Sequence, residues 1–414
     1  MQKLFQGEGA SQRAIPVIYI HYPVCYNKKV KHKEVRFMSY LKIGGVMVVL
    51  LSLLCGAHYY LAKRISHCLQ WLFPKFRFLH VLLALVFLTV MLMLSIARPF
   101  PGVGQRIISV IGTCWMGLAL YLLLYMLAGE VVLLFSRLIP SVPNTLRNVT
   151  EATAIVLALL TFIGGFLHAS RVQTVHYEVQ LAEQPTSQMR VVMLSDVHLG
   201  AVNSEARLEK TVAAINAQQP DLVCIAGDIF DNNYSAIRNP EQVIQTLKQI
   251  QSTYGVYACL GNHDAGTEFG KMETFLEQAG IRLLKDECVT IDGRLTLAGR
   301  LDPSPIGGYL GQTRQPLSVV LSGAEPKLPV VLLDHNPGSL PEYQGEAALI
   351  LSGHTHKGQI FPGSLITNSL FTVDYGYYRA EDGTQVIVSS GAGTWGLPIR
   401  VGTDCEIVSI LLTL

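Results

Sequence analysis

Five short motifs after residue 190 supply side chains that bind metal ions. The motifs are Asp196-Val197-His198, Gly227-Asp228, Gly261-Asn262-His263-Asp264, a lone His335 and Gly353-His354-Thr355-His356. Together they offer carboxylates, an amide oxygen and several imidazoles, but no thiolate. This donor set suits divalent cations of hard to borderline character. Two adjacent cations that share a carboxylate form an arrangement used to hydrolyse phosphoesters.

Each motif follows a short apolar run with the composition of a β-strand. We predict strands at residues 190–195, 222–226, 256–260, 330–333 and 348–352, and helices at residues 204–218 and 240–251. Uninterrupted apolar runs of this length are typical of strands that are covered on both faces. Strands that alternate with helices favour parallel pairing, and ligands bind at the carboxyl edge of such sheets. We therefore expect five strands to bring the polar motifs to one rim.

Four further apolar runs predict a second sheet. They lie at residues 289–291, 295–297, 385–388 and 406–412.

The motifs, in this order, resemble the calcineurin-like metallophosphoesterase family. The segments Leu333–Pro337, Gly353–Pro362 and Val388–Gly402 further resemble a membrane-tethered or exported branch of that family. The resemblance covers residues 171–414 and implies an α/β (α+β) fold, a four-layer αββα sandwich with two sheets between layers of helices. It implies hydrolysis of a phosphodiester, pyrophosphate or phosphomonoester by metal-activated water.

The same resemblance implies seven ligands for two divalent metal ions, which could be Mn²⁺, Fe or Zn²⁺. The first metal would take Asp196, His198 and His356, the second would take Asn262, His335 and His354, and Asp228 would bridge them. The assignment of His335 rests on a single residue, and a core or surface histidine is the alternative there.

Two more residues have implied catalytic roles. His263 would stabilise or protonate the leaving-group oxygen, and Asp231 would orient that histidine. A carboxylate partner favours the imidazolium form, which is the form that donates a proton. The alternative for Asp231 is a plain turn or helix-capping residue. Neither Asp264 nor Asp334 is expected to bind metal: Asp264 would support the loop, and Asp334 would either lie behind the ligands or be solvated.

The first part of the chain is strongly apolar. Half of all residues are hydrophobic (50%). Uncharged runs lie between Lys42 and Lys63, between Arg77 and Arg98, between Arg106 and Glu130, and between Glu151 and Arg171. Each run can cross a hydrocarbon layer about 30 Å thick as a helix, so we predict a bundle of about four transmembrane helices within residues 38–170. A buried helix of a soluble domain is the alternative for any one run.

Residues 1–37 are polar and rich in lysine. They form either a basic cytoplasmic anchor or a stretch ahead of a true start at Met38. If the basic residues are counted, the positive-inside rule places the N-terminus in the cytoplasm, and an even number of spans places the catalytic domain there too. We predict a multi-pass protein of the cell membrane.

The sequence also indicates the partners. The net charge is only +2 and no basic stripe is interleaved with aromatic residues, so we expect no nucleic acid. Residues 363–383 are rich in apolar and aromatic side chains, and they predict either a lid that contacts membrane lipids or a cover for a sheet edge. Together with the membrane anchor, these side chains suggest that the substrate is a lipid-linked phosphodiester or pyrophosphate, by analogy with the hydrolysis of UDP-diacylglucosamine.

Two other function classes compete with the phosphoesterase. One is a catalytically silent membrane scaffold or metal sensor, against which the retained His263 argues. The other is a transporter with a regulatory domain. Apart from histidines, Glu130 is the only ionisable residue that interrupts the apolar spans. Transport paths usually carry more ionisable groups than this.

Overall fold

The computed structural model describes residues 28–72, 74, 79–96, 103–139, 145–202 and 205–414. Contacts divide the chain into two compact units, Met1–Gly56 and Ala57–Leu414. Most of the predicted basic segment lies outside the described residues, although its last part, from Lys28, is helical. The predicted boundary at residue 171 lies between a helix that ends at Ala169 and a strand that begins at Val172, and the division into three domains stays a prediction.

Four helices precede the first strand. They are α1 Lys28–Leu72, α2 Leu79–Ile96, α3 Val103–Ser136 and α4 Leu146–Ala169. By length and composition, three helical segments can cross a membrane, namely Gly44–Trp71, Val103–Ser136 and Leu146–Ala169. The second predicted span differs, because the described apolar stretch of α2, Leu79–Met91, is shorter than a membrane-spanning helix needs.

The rest of the chain alternates strands and helices. The strands are β1 Val172–Gln180, β2 Gln188–Leu194, β3 Leu222–Ala226, β4 Val256–Cys259, β5 Ile281–Leu283, β6 Glu287–Ile291, β7 Leu295–Gly299, β8 Val330–Leu333, β9 Leu349–Ser352, β10 Gly376–Arg379, β11 Gln385–Val388 and β12 Cys405–Thr413. The helices are α5 Glu205–Ala217, α6 Pro240–Leu247, α7 Phe269–Gln278, α8 Leu317–Val320 and α9 Gly363–Leu370. All the predicted strands and both predicted helices therefore form, with ends that move by a few residues.

The strands build two six-stranded mixed sheets. The order is β1-β12-β2-β3-β4-β5 in the first sheet and β10-β11-β9-β8-β7-β6 in the second. Strands β2 to β5 are parallel, and so are β7, β8, β9 and β11. Each sheet therefore presents the carboxyl ends of several strands along one edge.

Successive side chains along a strand pack into two different hydrophobic cores. In β2, Met189, Val191 and Met193 pack between the two sheets. Val192 and Leu194, on the opposite face, pack against α5, α6 and α7. The second sheet is likewise covered on its outer face by α8 and by short helical turns near Tyr343. The result is the expected four-layer αββα sandwich, and double coverage explains why the strands are apolar at every position.

One expectation about the end of the chain needs correction. The run at residues 406–412 was assigned to the second sheet, but β12 lies in the first, between β1 and β2. The segment at residues 363–383, predicted to be either a lid or a cover for a sheet edge, forms two elements. Its first part is the helix α9, and its second part, β10, pairs antiparallel with β11 at the edge of the second sheet.

Helices α3 and α4 pack directly on the two-sheet domain that follows them. The backbone nitrogen of Arg400 donates to the carbonyl of Gly165 at 3.0 Å. The hydroxyl of Tyr121 donates to the carbonyl of Phe361 at 2.9 Å, and Ile399 is fully buried among residues of these helices. The domain therefore packs against the middle of α3, at Tyr121, and against the end of α4, at Gly165.

Substitution of the two adjacent glycines of α4 should have opposite effects. A Cβ at Gly165 would lie 2.8 Å from Cγ2 of Val401, whereas a Cβ at Gly164 would meet nothing within 4 Å. We expect Gly165→Ala to destabilise the protein by about 1–3 kcal/mol through overpacking. Gly164→Ala should stabilise it by up to about 1 kcal/mol through helix propensity. Thermal unfolding of the detergent-solubilised protein measures both, and equal midpoints for the two variants would contradict the described packing.

Candidate metal centre

All seven predicted ligands lie together, although they come from five separate strands. Asp196 and His198 follow β2, Asp228 follows β3, and Asn262 follows β4. His335 follows β8, and the pair His354 and His356 follows β9. Both sheets thus contribute the carboxyl ends of their strands to one site.

The first group of donors comprises Asp196, His198 and His356. The Nε2 atoms of His198 and His356 are 3.0 Å apart. Nε2 of His356 lies 3.3 Å from Oδ1 of Asp196, and Nε2 of His198 lies 3.9 Å from the same oxygen. The three side chains are buried, and their ligand atoms converge closely enough to hold one cation.

The second group comprises Asp228, Asn262, His335 and His354. Nδ1 of His354 lies 2.9 Å from Oδ1 of Asn262 and 3.3 Å from Nε2 of His335. Nε2 of His335 lies 3.1 Å from Oδ2 of Asp228. These nitrogen and oxygen atoms also converge on one point.

Asp228 lies between the two groups. Its Oδ2 atom is 3.1 Å from Nε2 of His335 and 3.7 Å from Nε2 of His198. Its other oxygen, Oδ1, accepts a hydrogen bond of 2.8 Å from the backbone nitrogen of His263. One carboxylate oxygen therefore faces both donor groups, which is the position that a bridging ligand requires.

The backbone at these positions is strained. Five of the seven residues have a positive φ: Asp196 (53°), His198 (49°), Asp228 (51°), His354 (72°) and His356 (50°). This left-handed conformation is uncommon outside glycine and costs about 1–3 kcal/mol for each residue. Such strain persists only where the surrounding structure imposes it, and it concentrates at functional sites.

Burial sets the protonation of the donors. Burial raises the pKa of Asp196 to about 6 and lowers the pKa of His198 to about 3 and that of His354 to about 4. Burial also lowers the pKa of His356 well below its ordinary value. At neutral pH these three imidazoles are therefore neutral, which is the form that binds a metal ion.

His335 behaves differently from the other histidines. Burial alone would lower the pKa of His335, but the adjacent carboxylate of Asp228 raises it well above the ordinary value. Burial alone would raise the pKa of Asp228, but His335 lowers it. Without a metal ion the two groups form a buried ion pair. Nδ1 of His335 contacts the carbonyl of Ala226 at 2.8 Å, so that Nε2 faces the site.

His263 projects into the site beside the first donor group. Its ring lies 5.1 Å from the ring of His198 and 5.7 Å from that of Trp395. Nδ1 of His263 is 3.8 Å from Oδ1 of Asp231, which is longer than a hydrogen bond. Burial lowers the pKa of His263. The structure brings the predicted pair together, but it does not join the two residues by a hydrogen bond.

Two neighbouring acids, Asp264 and Asp334, are fully buried beside the donors. Asp264 accepts hydrogen bonds from the backbone nitrogens of Phe230 (2.8 Å) and Gly261 (2.9 Å), and it thereby ties two ligand-bearing loops together. Asp334 is buried and pairs with Arg314 at 2.9 Å.

The ligand loops leave a cavity of about 440 Å³. Its floor consists of donors from both groups and His263. Its walls include the apolar side chains of Ile306, Ile366, Phe371 and Trp395. Ile366 and Phe371 belong to the segment predicted to be either a lid or a cover for a sheet edge, whereas Ile306 was not predicted. No spacing rule connects these four positions, and only the tertiary fold brings them together.

Comparison with known proteins agrees with this geometry. The sequence model of the calcineurin-like phosphoesterase family matches residues 189–358. An uncharacterized metallophosphoesterase of Aquifex aeolicus is 30% identical over 61% of this chain and 97% of its own length. The chain belongs to the metallophosphoesterase family. The residues described above fit the divalent metal ions that this membership implies.

Two other relatives show how far the similarity extends. An uncharacterized metallophosphoesterase of Helicobacter pylori is 31% identical over 54% of this chain and 60% of its own length. A transmembrane protein with metallophosphoesterase domain of Bos taurus is 31% identical over 63% of this chain and 62% of its own length. The chain thus spans about three fifths of the length of these two relatives.

Addition of one methyl group at Gly353 should weaken metal binding. A Cβ there would overlap Oδ2 of Asp196 and Oγ of Ser195, whereas a Cβ at Gly270 in α7 would meet nothing within 4 Å. We expect Gly353→Ala to lower the affinity for Mn²⁺ about 10- to 100-fold, because a displaced ligand no longer points at the cation. Metal titration of the full-length protein measures this. The control Gly270→Ala should bind as the parent does, and equal affinities in both variants would contradict the assignment of Asp196.

Proposed function

We propose that this protein is a membrane-anchored phosphoesterase that uses two divalent metal ions to hydrolyse a phosphodiester, pyrophosphate or phosphomonoester. The observation that carries the proposal is the placement of Asp228 between two converging groups of nitrogen and oxygen donors, at 3.1 Å and 3.7 Å from one imidazole of each. When bound, two such ions polarise a phosphate oxygen and lower the pKa of water toward neutrality.

The side chains of the site would position the phosphate and assist the departure of the leaving group. The seven donors fix the position at which phosphate must lie. His263 stands at the edge of that position, where the leaving-group oxygen departs, and Asp231 faces it from the outer side. An N–H group of His263 would donate to the departing oxygen, and would thereby stabilise or protonate it as the phosphorus–oxygen bond breaks. No residue of the site needs to form a covalent bond with phosphorus.

An apolar surface beside the cavity supports a lipid-linked substrate. In α9, Leu365 is 64% exposed and Leu370 is 72% exposed, while Ile366 of the same helix lines the cavity. Phe361, which is 53% exposed, precedes α9 and is bonded through its carbonyl to Tyr121 of α3. Several large apolar side chains exposed on one short segment are typical of a membrane or ligand contact. The surface thus continues from the apolar helix α3 to the mouth of the cavity.

The helix contacts also support four passes through the membrane. Arg64, near the end of α1, pairs with Glu151 at 3.2 Å, on the part of α4 remote from the catalytic domain. Phe87 of α2 stacks on Trp115 of α3 with ring centroids 4.0 Å apart. In this arrangement α2 runs from the side remote from the catalytic domain back toward that domain. Its apolar stretch is short, and packing against α3 helps to hold it in the membrane. The cytoplasmic location of the catalytic domain stays a prediction from the charge pattern.

Hydrolysis of bis(p-nitrophenyl) phosphate tests the proposed chemistry. We expect the full-length protein in detergent to lose turnover when stripped of metal and to regain it with Mn²⁺. His263→Ala should reduce kcat about 10²- to 10⁴-fold for a diester with an alkoxide leaving group, because proton transfer to that group is lost. The reduction should be smaller for bis(p-nitrophenyl) phosphate, because p-nitrophenolate departs without a proton. Asp228→Asn should reduce metal content and turnover together, because the bridging charge is lost.

Matched controls are available on the surface. His176→Ala and Asp382→Asn replace exposed residues of the same types outside the site, and both should retain full turnover. Metal binding without any turnover in the parent protein would favour the silent scaffold or metal sensor instead.

The lipid-linked substrate has a separate test. Phosphatidyl-p-nitrophenol in vesicles and soluble bis(p-nitrophenyl) phosphate share a leaving group but differ in their apolar part. We expect the double variant Leu365→Gln/Leu370→Gln to reduce kcat/KM for the lipid at least about tenfold, because two leucines no longer enter the bilayer. The soluble ester should be hydrolysed as before. Val319→Gln, at an exposed position of α8, is the control. Equal losses on both substrates would argue against a role of α9 in lipid binding.

A further inference from the structure

A second cavity lies between the start of α3 and the loops that carry the metal ligands. Its volume is about 330 Å³. It shares His263, Ile306 and Trp395 with the cavity over the metal donors, so the two spaces meet at the residue placed beside the leaving group. A group that departs past His263 would therefore enter this second cavity.

One face of α3 provides a polar wall of this cavity. Gln105, Ser109 and Thr113 all line it, and their spacing of four residues places them above one another on the helix. The hydroxyl of Thr113 donates to the carbonyl of Ser109 at 2.7 Å, which leaves its oxygen free to accept a hydrogen bond from a ligand. Polar side chains are costly on a helix of this apolar character unless they find partners.

Gln105 is the most informative residue of this wall. Its side chain is 5% exposed and lines the cavity. Among the described residues, its amide makes no hydrogen bond to another side chain or to the backbone. Its amide atoms are not among the fully buried unpaired atoms of the described residues, so they face the space of the cavity. A polar ligand in the cavity could therefore exchange hydrogen bonds with this amide in place of water.

The opposite wall is polar as well, but it carries no positive charge. Asp231, Asn232 and Asn233 line it, and no lysine or arginine does so in the part of the chain that the structure describes. A second phosphate would need cationic partners. Amides and hydroxyls instead suit a neutral group that both donates and accepts hydrogen bonds. Trp395 adds an aromatic face on which the C–H groups of a ring can pack.

We propose that the cavity beneath α3 binds a polyhydroxylated leaving group, such as a sugar or a cyclic polyol, of a membrane phosphodiester. This inference rests on the proposed function and adds the chemical class of the leaving group. Hydrolysis breaks the bond between phosphorus and the polyol oxygen, water supplies the new oxygen on phosphorus, and the polyol oxygen takes a proton from the side of His263. The membrane helix α3 then determines specificity as well as anchoring the domain.

Two lipids with identical acyl chains test the proposal in the full-length, Mn²⁺-loaded protein. Phosphatidylinositol has a cyclic polyol as its leaving group, and phosphatidylmethanol has none. We expect kcat/KM to favour phosphatidylinositol at least about tenfold, because a site built for hydroxyl groups discriminates against a ligand without them. Gln105→Leu and Ser109→Val should each reduce this preference about tenfold, and Gln105→Asn should restore part of it relative to Gln105→Leu.

A second measurement does not depend on turnover. In metal-free protein, phosphatidylinositol in mixed micelles should raise the thermal midpoint more than phosphatidylmethanol does, and Gln105→Leu should abolish the difference. Gln278→Leu replaces an exposed glutamine of α7 and should leave both the preference and the thermal shift unchanged.

The outcomes separate this inference from the proposed function. If bis(p-nitrophenyl) phosphate is hydrolysed but the parent protein shows no preference for phosphatidylinositol, the inference is wrong and the function stands. The same conclusion follows if the preference persists in both Gln105→Leu and Ser109→Val. If the metal-loaded parent hydrolyses none of the three substrates, the proposed function itself is wrong.

Discussion

The structure depends on the convergence of buried metal-binding donors around the carboxylate of Asp228. Without a cation, polar groups packed this closely oppose folding, because they lose water and gain few hydrogen bonds in return. The protein offsets part of this cost with the ion pair between Asp228 and His335. It keeps His198, His354 and His356 neutral, since burial lowers the pKa of each. A bound cation would stabilise the fold further by binding the native state alone.

Two stacked sheets provide the rigidity that this convergence requires. Each ligand loop begins where a doubly covered strand ends, so the first residue of the loop is fixed by the core beneath it. This explains how five ligands tolerate a left-handed backbone conformation. It also explains the glycines beside them, because a Cβ at Gly261 or Gly353 would overlap the carboxylate of Asp228 or Asp196. The strained loops are therefore stabilised by the apolar cores rather than by their own sequence.

The sequence predicted the parts of the fold that local patterns determine. Strands such as Leu222–Ala226 and Val330–Leu333 were placed at the observed residues, because burial on both faces leaves a continuous apolar run. The sheet to which a strand belongs is not encoded in that run, and β12 was accordingly assigned to the wrong sheet. The ligand set could be assembled from short motifs, but the separation of 3.8 Å between His263 and Asp231 depends on side-chain packing that no motif contains. The segment that contains α9 was predicted to be either a lid or a cover for a sheet edge. The sequence could not decide between the two, because the exposure of α9 depends on the neighbouring sheet.

The membrane helices do more than hold the domain at a surface. A simple tether needs only one helix and a linker, whereas here Gly165 of α4 and Tyr121 of α3 are bonded to the segments that flank the active-site residues. Such contacts fix the position of the cavity relative to α3 and α4. If the substrate is the proposed lipid, this arrangement would let it present its phosphate without leaving the membrane. The position of the buried Gln105 on α3 is consistent with such an arrangement. A polar side chain on an apolar helix is costly in lipid, and its cost is offset only if the helix itself forms one wall of the site.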